Sequence, residues 1–372
     1  MTDILQHSKL NNINQEMQIE KLSQEMQIEK SSQEMQIEKS KNEINNIYLT
    51  EPLFIENTKR YTIFPIEHLD IWKMAVLAED LDWKDREIDL SKDHIDWIKF
   101  EPREQLFIKN ILAFFASSDG VIIENLASTL MTLVQYPEAR AFYTMQLKIE
   151  QTHSTTYSKM IDALIMDKDE RNELFNVLES MTSVSKKAKW STKWIRNEKN
   201  PIKIIIANAI VEGLFFSGAF AAIFWIRKKY PGTMKGLIQA NELIMRDEGL
   251  HYAFAHLLYT KHIVNKLEIN EIKDIIEEAL VIEEEFMREA LPDKLLGMNL
   301  ELMLQYIKYI ANRLFKMFTS TELYSDIKNP FPWMDQVSLP TVANFFDGRE
   351  TQYNNSITGV HGQLSLNDDD IF

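Results

Sequence analysis

With 372 residues, 45% of them hydrophobic, and only 10 Gly and 10 Pro, the chain can bury a large core and reads as helical rather than loop-rich. A formal net charge of −15 with no long basic stripe argues against a nucleic-acid binder, which neutralises phosphates with Lys and Arg. The absence of Cys excludes disulfides, a thiolate nucleophile and Cys-ligated zinc or iron–sulfur clusters, so any metal must be held by oxygen and imidazole.

In chain order, residues 1–48 form a low-complexity arm in which QEMQIEK occurs three times, at 15–21, 24–30 and 33–39. Nine residues make about two and a half helical turns, so Met17, Met26 and Met35 alternate sides and build no coiled-coil seam. A disordered arm is expected. It is polar and lacks the apolar core of a signal peptide, so the expected location is cytoplasmic.

A globular body is expected over residues 49–340. Residues 51–54 and 61–65 read as extended lead-in segments, and an amphipathic helix should follow over about 66–81. Residues 82–85 are polar except for Trp83. Ser91 and Asp93 are plausible caps for a short helix through Trp97. One long helix is expected over about 101–134, and Pro137, suited to the first helical position, opens another to about 166. Residues 341–372 read as a flexible tail.

The second of those long helices carries Glu150, His153 and Tyr157. At about 100° per residue, positions i, i+3 and i+7 share a sector of roughly 60°, so one helix face can aim a carboxylate, an imidazole and a phenol at one point. Alone, a Glu-x-x-His pair is a weak signal. If the chain reverses near residue 135, however, Asp119 lies sixteen residues before the turn and Glu150 fifteen after it, which puts both carboxylates at nearly one height.

A second hairpin repeats the arrangement. Residues 202–226 are almost wholly apolar and long enough to suggest a membrane span, but Glu212 within the run speaks for a buried functional residue in the central helix of a bundle. About residue 231 the chain turns, leaving Glu212 nineteen residues behind and Glu248 seventeen ahead, with His251 three further on. Two lone acids and two Glu-x-x-His pairs on four long helices are the inventory of carboxylate bundles that hold two iron or manganese ions. Four carboxylates also neutralise two divalent ions, which makes burial of six polar groups tolerable. The expected fold is an all-α, ferritin-like di-metal carboxylate helix bundle, with no membrane-spanning role.

At these residues, and at FPIEHLDIW (64–72), SKKAK (185–189) and VEGLFFSG (211–218), the chain resembles the radical-generating small subunit of class Ia ribonucleotide reductase, most closely its eukaryotic and large-DNA-virus members. The similarity runs from about residue 51 to the C-terminus. It implies a homodimer that makes and stores a tyrosyl radical and passes it to a separate large catalytic subunit, where deoxyribonucleotides are made.

It also implies roles residue by residue. Asp119, Glu150 and His153 would bind the metal nearer the tyrosine and Glu212, Glu248 and His251 the other, with Glu150 and Glu248 bridging. The implied cofactor is an oxo-bridged pair of iron ions, although the same ligands suit manganese. Tyr157 matches the radical tyrosine, in a pocket of Phe216, Phe220 and Ile244. Trp83, Asp247 and Tyr353 match the radical-transfer residues, with Arg246 beside the path. The acidic last residues, ending in Phe372, match the peptide that docks on the large subunit, but Leu366 replaces an aromatic and Ile371 an acid there. Two other readings share the metal ligands: a ferroxidase or iron-storage bundle, which needs neither Trp83 nor Tyr157, and a substrate oxidase, which needs a channel. A scaffolding homologue is disfavoured because no ligand position is replaced.

Overall fold

The computed structural model describes residues 50–291 and 298–334. The repeat arm and the tail, with Tyr353 and Phe372, lie outside the described residues. From Glu51 onward the described chain forms one compact unit. Its main helices are α1 (Leu69–Asp80), α2 (Asp93–Trp97), α3 (Pro102–Asn125), α4 (Pro137–Leu164), α5 (Thr182–Ser191), α6 (Pro201–Ile210), α7 (Ser217–Lys229), α8 (Lys235–Leu257), α9 (Ile269–Ala290) and α10 (Leu300–Thr319).

Local chemistry sets the starts of these helices. Pro102, Pro137 and Pro201 occupy first-turn positions, where the missing N–H costs nothing and the fixed φ suits a helix. Glu101 and Glu104 form a capping box at α3, and the Asn200 side chain accepts from Ile202 N at the start of α6. α8 begins differently: Met234 before it is left-handed, with φ 50°, and the Asp93 carboxylate accepts from Gly236 N (3.1 Å) and Leu237 N (2.7 Å). Asp93 therefore serves the N-terminus of α8 and not its own short helix, a correction that only the tertiary fold reveals. A Cβ on Gly236 would lie 2.5 Å from the Asp89 carbonyl oxygen, which explains a glycine there.

Three further expectations are adjusted. Residues 52–54 form a 3₁₀ turn, not an extended segment. The helix expected over 101–134 ends at Asn125 and continues through a π turn, Leu126–Leu130, into one further turn, Met131–Leu133. The apolar run is likewise interrupted by a π turn, Val211–Phe215, between α6 and α7. Two stretches, Pro102–Leu133 and Pro201–Lys229, are long and apolar enough to cross a membrane, yet 94% of the apolar window in the second is buried within the protein. It is a core helix.

α3 packs along α4, α1 covers the outer side of α4, and α6 lies against α8. α9 packs on α5 and α10. The core between them is aromatic and aliphatic: Phe107, Phe114, Phe115, Phe142, Phe216 and Phe224 are almost completely buried, each contributing on the order of 1.5–3 kcal/mol of burial. Around the crossing of α3, α4, the π turn and α8, that apolar interior is replaced by charge.

Candidate metal centre

α4 contributes Glu150 and His153, α8 contributes Glu248 and His251, α3 contributes Asp119 and the second π turn contributes Glu212. All six are buried, none more than 3% exposed. Ligand-type atoms of Glu150, Glu212, Glu248 and His251 all lie within 4.8 Å of one another. His251 Nδ1 is 3.0 Å from Glu150 Oε1, 3.1 Å from Glu248 Oε2 and 3.9 Å from Glu212 Oε2. His153 Nδ1 is 3.1 Å from Glu248 Oε1 and 3.4 Å from Glu150 Oε2. Glu150 and Glu248 thus each face both histidines.

Burial, then the neighbouring Glu150 carboxylate, pushes Asp119 well above the ordinary range, and burial with Glu248 and Glu150 does the same to Glu212. Burial alone would lower both imidazoles, but the carboxylates around them outweigh it and raise each well above its usual value. Glu248 moves down, because His153 and His251 beside it together outweigh its desolvation. Such crowding is costly without cations. Asp119 Oδ2, both Glu150 oxygens, Glu212 Oε2 and His153 Nδ1 are buried without a well-directed hydrogen-bond partner. Oxygen and imidazole lone pairs that converge without donors fit two divalent ions, and the four carboxylates would match their charge.

His153 also connects outward. Its Nε2 lies 3.2 Å from Asp247 Oδ2, and the same oxygen accepts from Trp83 Nε1 at 2.8 Å. With its N–H directed at Asp247, His153 presents Nδ1 to the carboxylates. The Trp83 and His153 rings also stack, with centroids 6.0 Å apart. Asp247 is held by Arg246, whose Nε and Nη2 donate to Oδ1 at 3.0 and 2.8 Å, while Nη2 also reaches the Leu81 carbonyl at 2.7 Å. Although burial opposes it, the bond from His153 and the Arg246 charge keep Asp247 below its usual range and therefore ionised. Asp247 thus orients the histidine of the facing helix, not His251 four residues along its own.

Tyr157 is fully buried one turn beyond His153, and burial with the nearby Asp119 raises its phenol well above the usual value. Its hydroxyl donates to Asn241 Oδ1 at 3.0 Å, and Asn241 Nδ2 donates to the Leu237 carbonyl at 2.8 Å. The ring lies parallel to Phe115, with centroids 4.4 Å apart and 2° between planes. Phe216 and Phe220 pack around Phe115, at 5.6 and 5.1 Å, and Ile244 is buried on α8. Sequence reasoning missed Asn241, Phe115 and Gln146, whose Nε2 donates to Glu212 Oε1 at 2.8 Å. Spacing along a helix was the available signal for all three: Gln146 lies four residues before Glu150, Phe115 four before Asp119 and Asn241 seven before Glu248. A cavity of about 360 Å3, lined by Glu212, Glu248, Ser217, Tyr252, Arg313 and Met334 among others, opens beside the centre.

A family model described as ribonucleotide reductase, small chain, matches residues 60–330. Over 303 residues the chain is 48% identical to the ribonucleoside-diphosphate reductase small chain of Trypanosoma brucei brucei, covering 82% of this chain and 89% of that one. It is 47% identical to the corresponding small chain of vaccinia virus (strain Western Reserve), with 82% and 94% covered. Among solved structures it is similar to the ribonucleotide reductase Rnr4 homodimer from Saccharomyces cerevisiae, at 31% identity and a TM-score of 0.73 over 82% of this chain and 97% of that one. The dimanganese(II)-NrdF structure from Streptococcus sanguinis, at 19% identity and a TM-score of 0.64 over 78% and 99%, shares the fold.

Proposed function

This chain belongs to the ribonucleotide reductase small-chain family, the oxidoreductase subunit whose role is radical generation and transfer, and from that membership we propose which of its residues do the work. Asp119, Glu150, His153, Glu212, Glu248 and His251 would hold a pair of metal ions. Iron is the proposed metal, and the same donors accept manganese. When bound, the pair supplies the O2-driven oxidation of a neighbouring phenol, and Tyr157 is that phenol. Loss of one electron and one proton leaves a radical that Phe115, Phe216, Phe220 and Ile244 shield from water and reductants.

The observation that carries this reading is the unbroken path Trp83 Nε1, Asp247 Oδ2, His153 Nε2, with His153 Nδ1 facing the carboxylates and Tyr157 one turn further along α4. A ferroxidase has no use for a buried tryptophan bonded to an aspartate that is bonded to a ligand histidine. Arg246 keeps Asp247 charged, so Asp247 can accept from both rings at once. The cavity beside Glu212 and Glu248 leaves room for O2 at the centre.

The radical is delivered to a large catalytic subunit, with Tyr353 as the relay and the peptide ending in Phe372 as the anchor, and the body of the protein pairs as a homodimer in the cytoplasm. The test is electron paramagnetic resonance on metal-free protein loaded anaerobically with Fe(II) and exposed to O2, beside Tyr157→Phe. A tyrosyl signal coupled to the irons and lost in the variant is the expected result. Oxidised metal without a radical in either protein would overturn it in favour of a ferroxidase or substrate oxidase.

A further inference from the structure

Lys187 and Glu283 form an ion pair deep in the bundle, away from the six ligands. Lys187 on α5 is 3% exposed and Glu283 on α9 is fully buried, with Nζ 2.5 Å from Oε2. Neither Glu283 oxygen has a hydrogen-bond partner beyond that ion pair. The ammonium sits 3.8 Å from the Phe114 ring centroid and 3.7 Å from that of Phe286. Two buried charges rarely repay their desolvation, and an apolar pair of the same volume is often at least as stable. Stability of the fold is therefore a poor reason for this pair.

Its position gives a better one. Lys187 Nζ donates to the Phe215 carbonyl at 2.9 Å, at the last residue of the π turn Val211–Phe215. The Ser217 hydroxyl donates to the carbonyl just before it, Leu214, at 2.8 Å. A π turn shifts the backbone ladder by one residue, so carbonyls at its end need partners from elsewhere. Here one side-chain hydroxyl and one buried ammonium supply them. The turn is also wedged from two sides: a Cβ on Gly213 would lie 2.9 Å from Leu314 Cδ2, and one on Gly218 would lie 2.7 Å from Met287 Cε and 2.9 Å from Glu283 Oε1. Glu212 is the second residue of this turn, and Phe216 follows it directly.

We propose that Lys187, held by Glu283, is a positioning residue for Glu212, fixing the π turn through the Phe215 carbonyl so that the carboxylate points at the metal pair. Gln146 fixes the carboxylate from the other end, through Oε1. The inference rests on the metal-centre reading above, and it assigns to α5 and α9 a part in metal binding although neither carries a ligand.

The test is titration of metal-free protein with Mn(II) alone, followed by the signal of the free ion, in wild type, Lys187→Met/Glu283→Leu, Glu283→Gln and Glu212→Ala. The double variant replaces both charges with apolar groups and should keep wild-type helicity, yet bind one of its two ions roughly 10-fold more weakly, the usual cost of losing an outer support of a ligand. Glu283→Gln keeps an oxygen acceptor for the ammonium, so Lys187 stays on the carbonyl and the variant should titrate as wild type. Should the double variant fail to fold, Lys187→Met is read against wild type at pH 6, where a protonated Glu283 leaves no bare charge. A double variant that folds and titrates as wild type, while Glu212→Ala loses one ion, overturns the inference and leaves the centre standing. If Glu212→Ala itself binds two ions as wild type, Glu212 is no ligand and the reading beneath the inference fails.

Discussion

Replacing Asn241 by Leu should expose how the phenol of Tyr157 is held. In the wild type its hydroxyl, fully buried, donates to the fully buried Asn241 Oδ1 at 3.0 Å, with an aromatic ring parallel to its own on one face. Leu is close to Asn in size but offers no acceptor, so the hydroxyl is left buried and unpaired at a cost of about 1–3 kcal/mol. Tyr157→Phe creates the mirror fault, an unpaired Asn241 oxygen, at a similar cost. In Asn241→Leu/Tyr157→Phe both polar groups are gone, and replacing both partners of a buried hydrogen bond by apolar groups is close to neutral. The double variant should therefore be more stable than the sum of the single losses by at least about 2 kcal/mol. The assay is urea unfolding of the metal-free protein, followed by circular dichroism, for all four members of the cycle. The coupling should be the same at pH 6 and pH 8, because burial and Asp119 hold the phenol pKa well above its usual value and the proton stays on. Strictly additive losses would refute the reasoning and mean that Tyr157 does not depend on Asn241.

Three further outcomes are expected. Mn(II) at about 100 times its dissociation constant should stabilise the wild type by about 2.7 kcal/mol per bound ion, about 5 kcal/mol for the pair, and Glu150→Ala should abolish most of the shift because that carboxylate faces both histidines. His256 is pulled down from 6.5 to about 4 by burial and by Lys266. Its folded form therefore binds fewer protons than its unfolded form between those values, and stability is lost as pH falls from about 6.5 towards 4. Allowing for its partial exposure, wild type should lose about 1–2 kcal/mol more than His256→Gln over that window, read from unfolding midpoints. Gly120 on α3 and Gly218 on α7 should respond oppositely to Ala. A Cβ at Gly120 meets nothing within 4 Å, so the substitution should raise stability by about 0.5–1 kcal/mol through helix propensity. At Gly218 the same methyl group meets Met287 and Glu283 and should cost about 1–3 kcal/mol in thermal or urea unfolding.

The six charged residues of the centre could be picked out in the sequence because helix geometry is periodic. Residues three apart share a face, and residues equally far from a reversal share a height, so Glu150 with His153, Glu248 with His251, and the pairs Asp119/Glu150 and Glu212/Glu248 stand out before any packing is known. Proline at the first turn marked the starts of α4 and, by the same chemistry, of α3 and α6. The aromatic at position 83 stood out by its polar surroundings.

What tertiary structure alone decided are the contacts that run from one helix to another. Asp247 reaches His153 on the facing helix and not His251 on its own, because the rotation of α8 against α4 chooses the partner. Asp93 caps α8, some 140 residues away, because α2 begins against it. Asn241 and Phe115 flank Tyr157, and Lys187 meets the Phe215 carbonyl, only after four separate helices have packed. The π turn at Glu212 is of the same kind. Periodicity in residues 202–226 does not mark the break in the helix, since the ammonium that supplies the Phe215 carbonyl at the end of the turn comes from Lys187, on another helix. Periodicity along a helix is local and survives in the sequence; the angle at which two helices meet is a property of the whole core and does not.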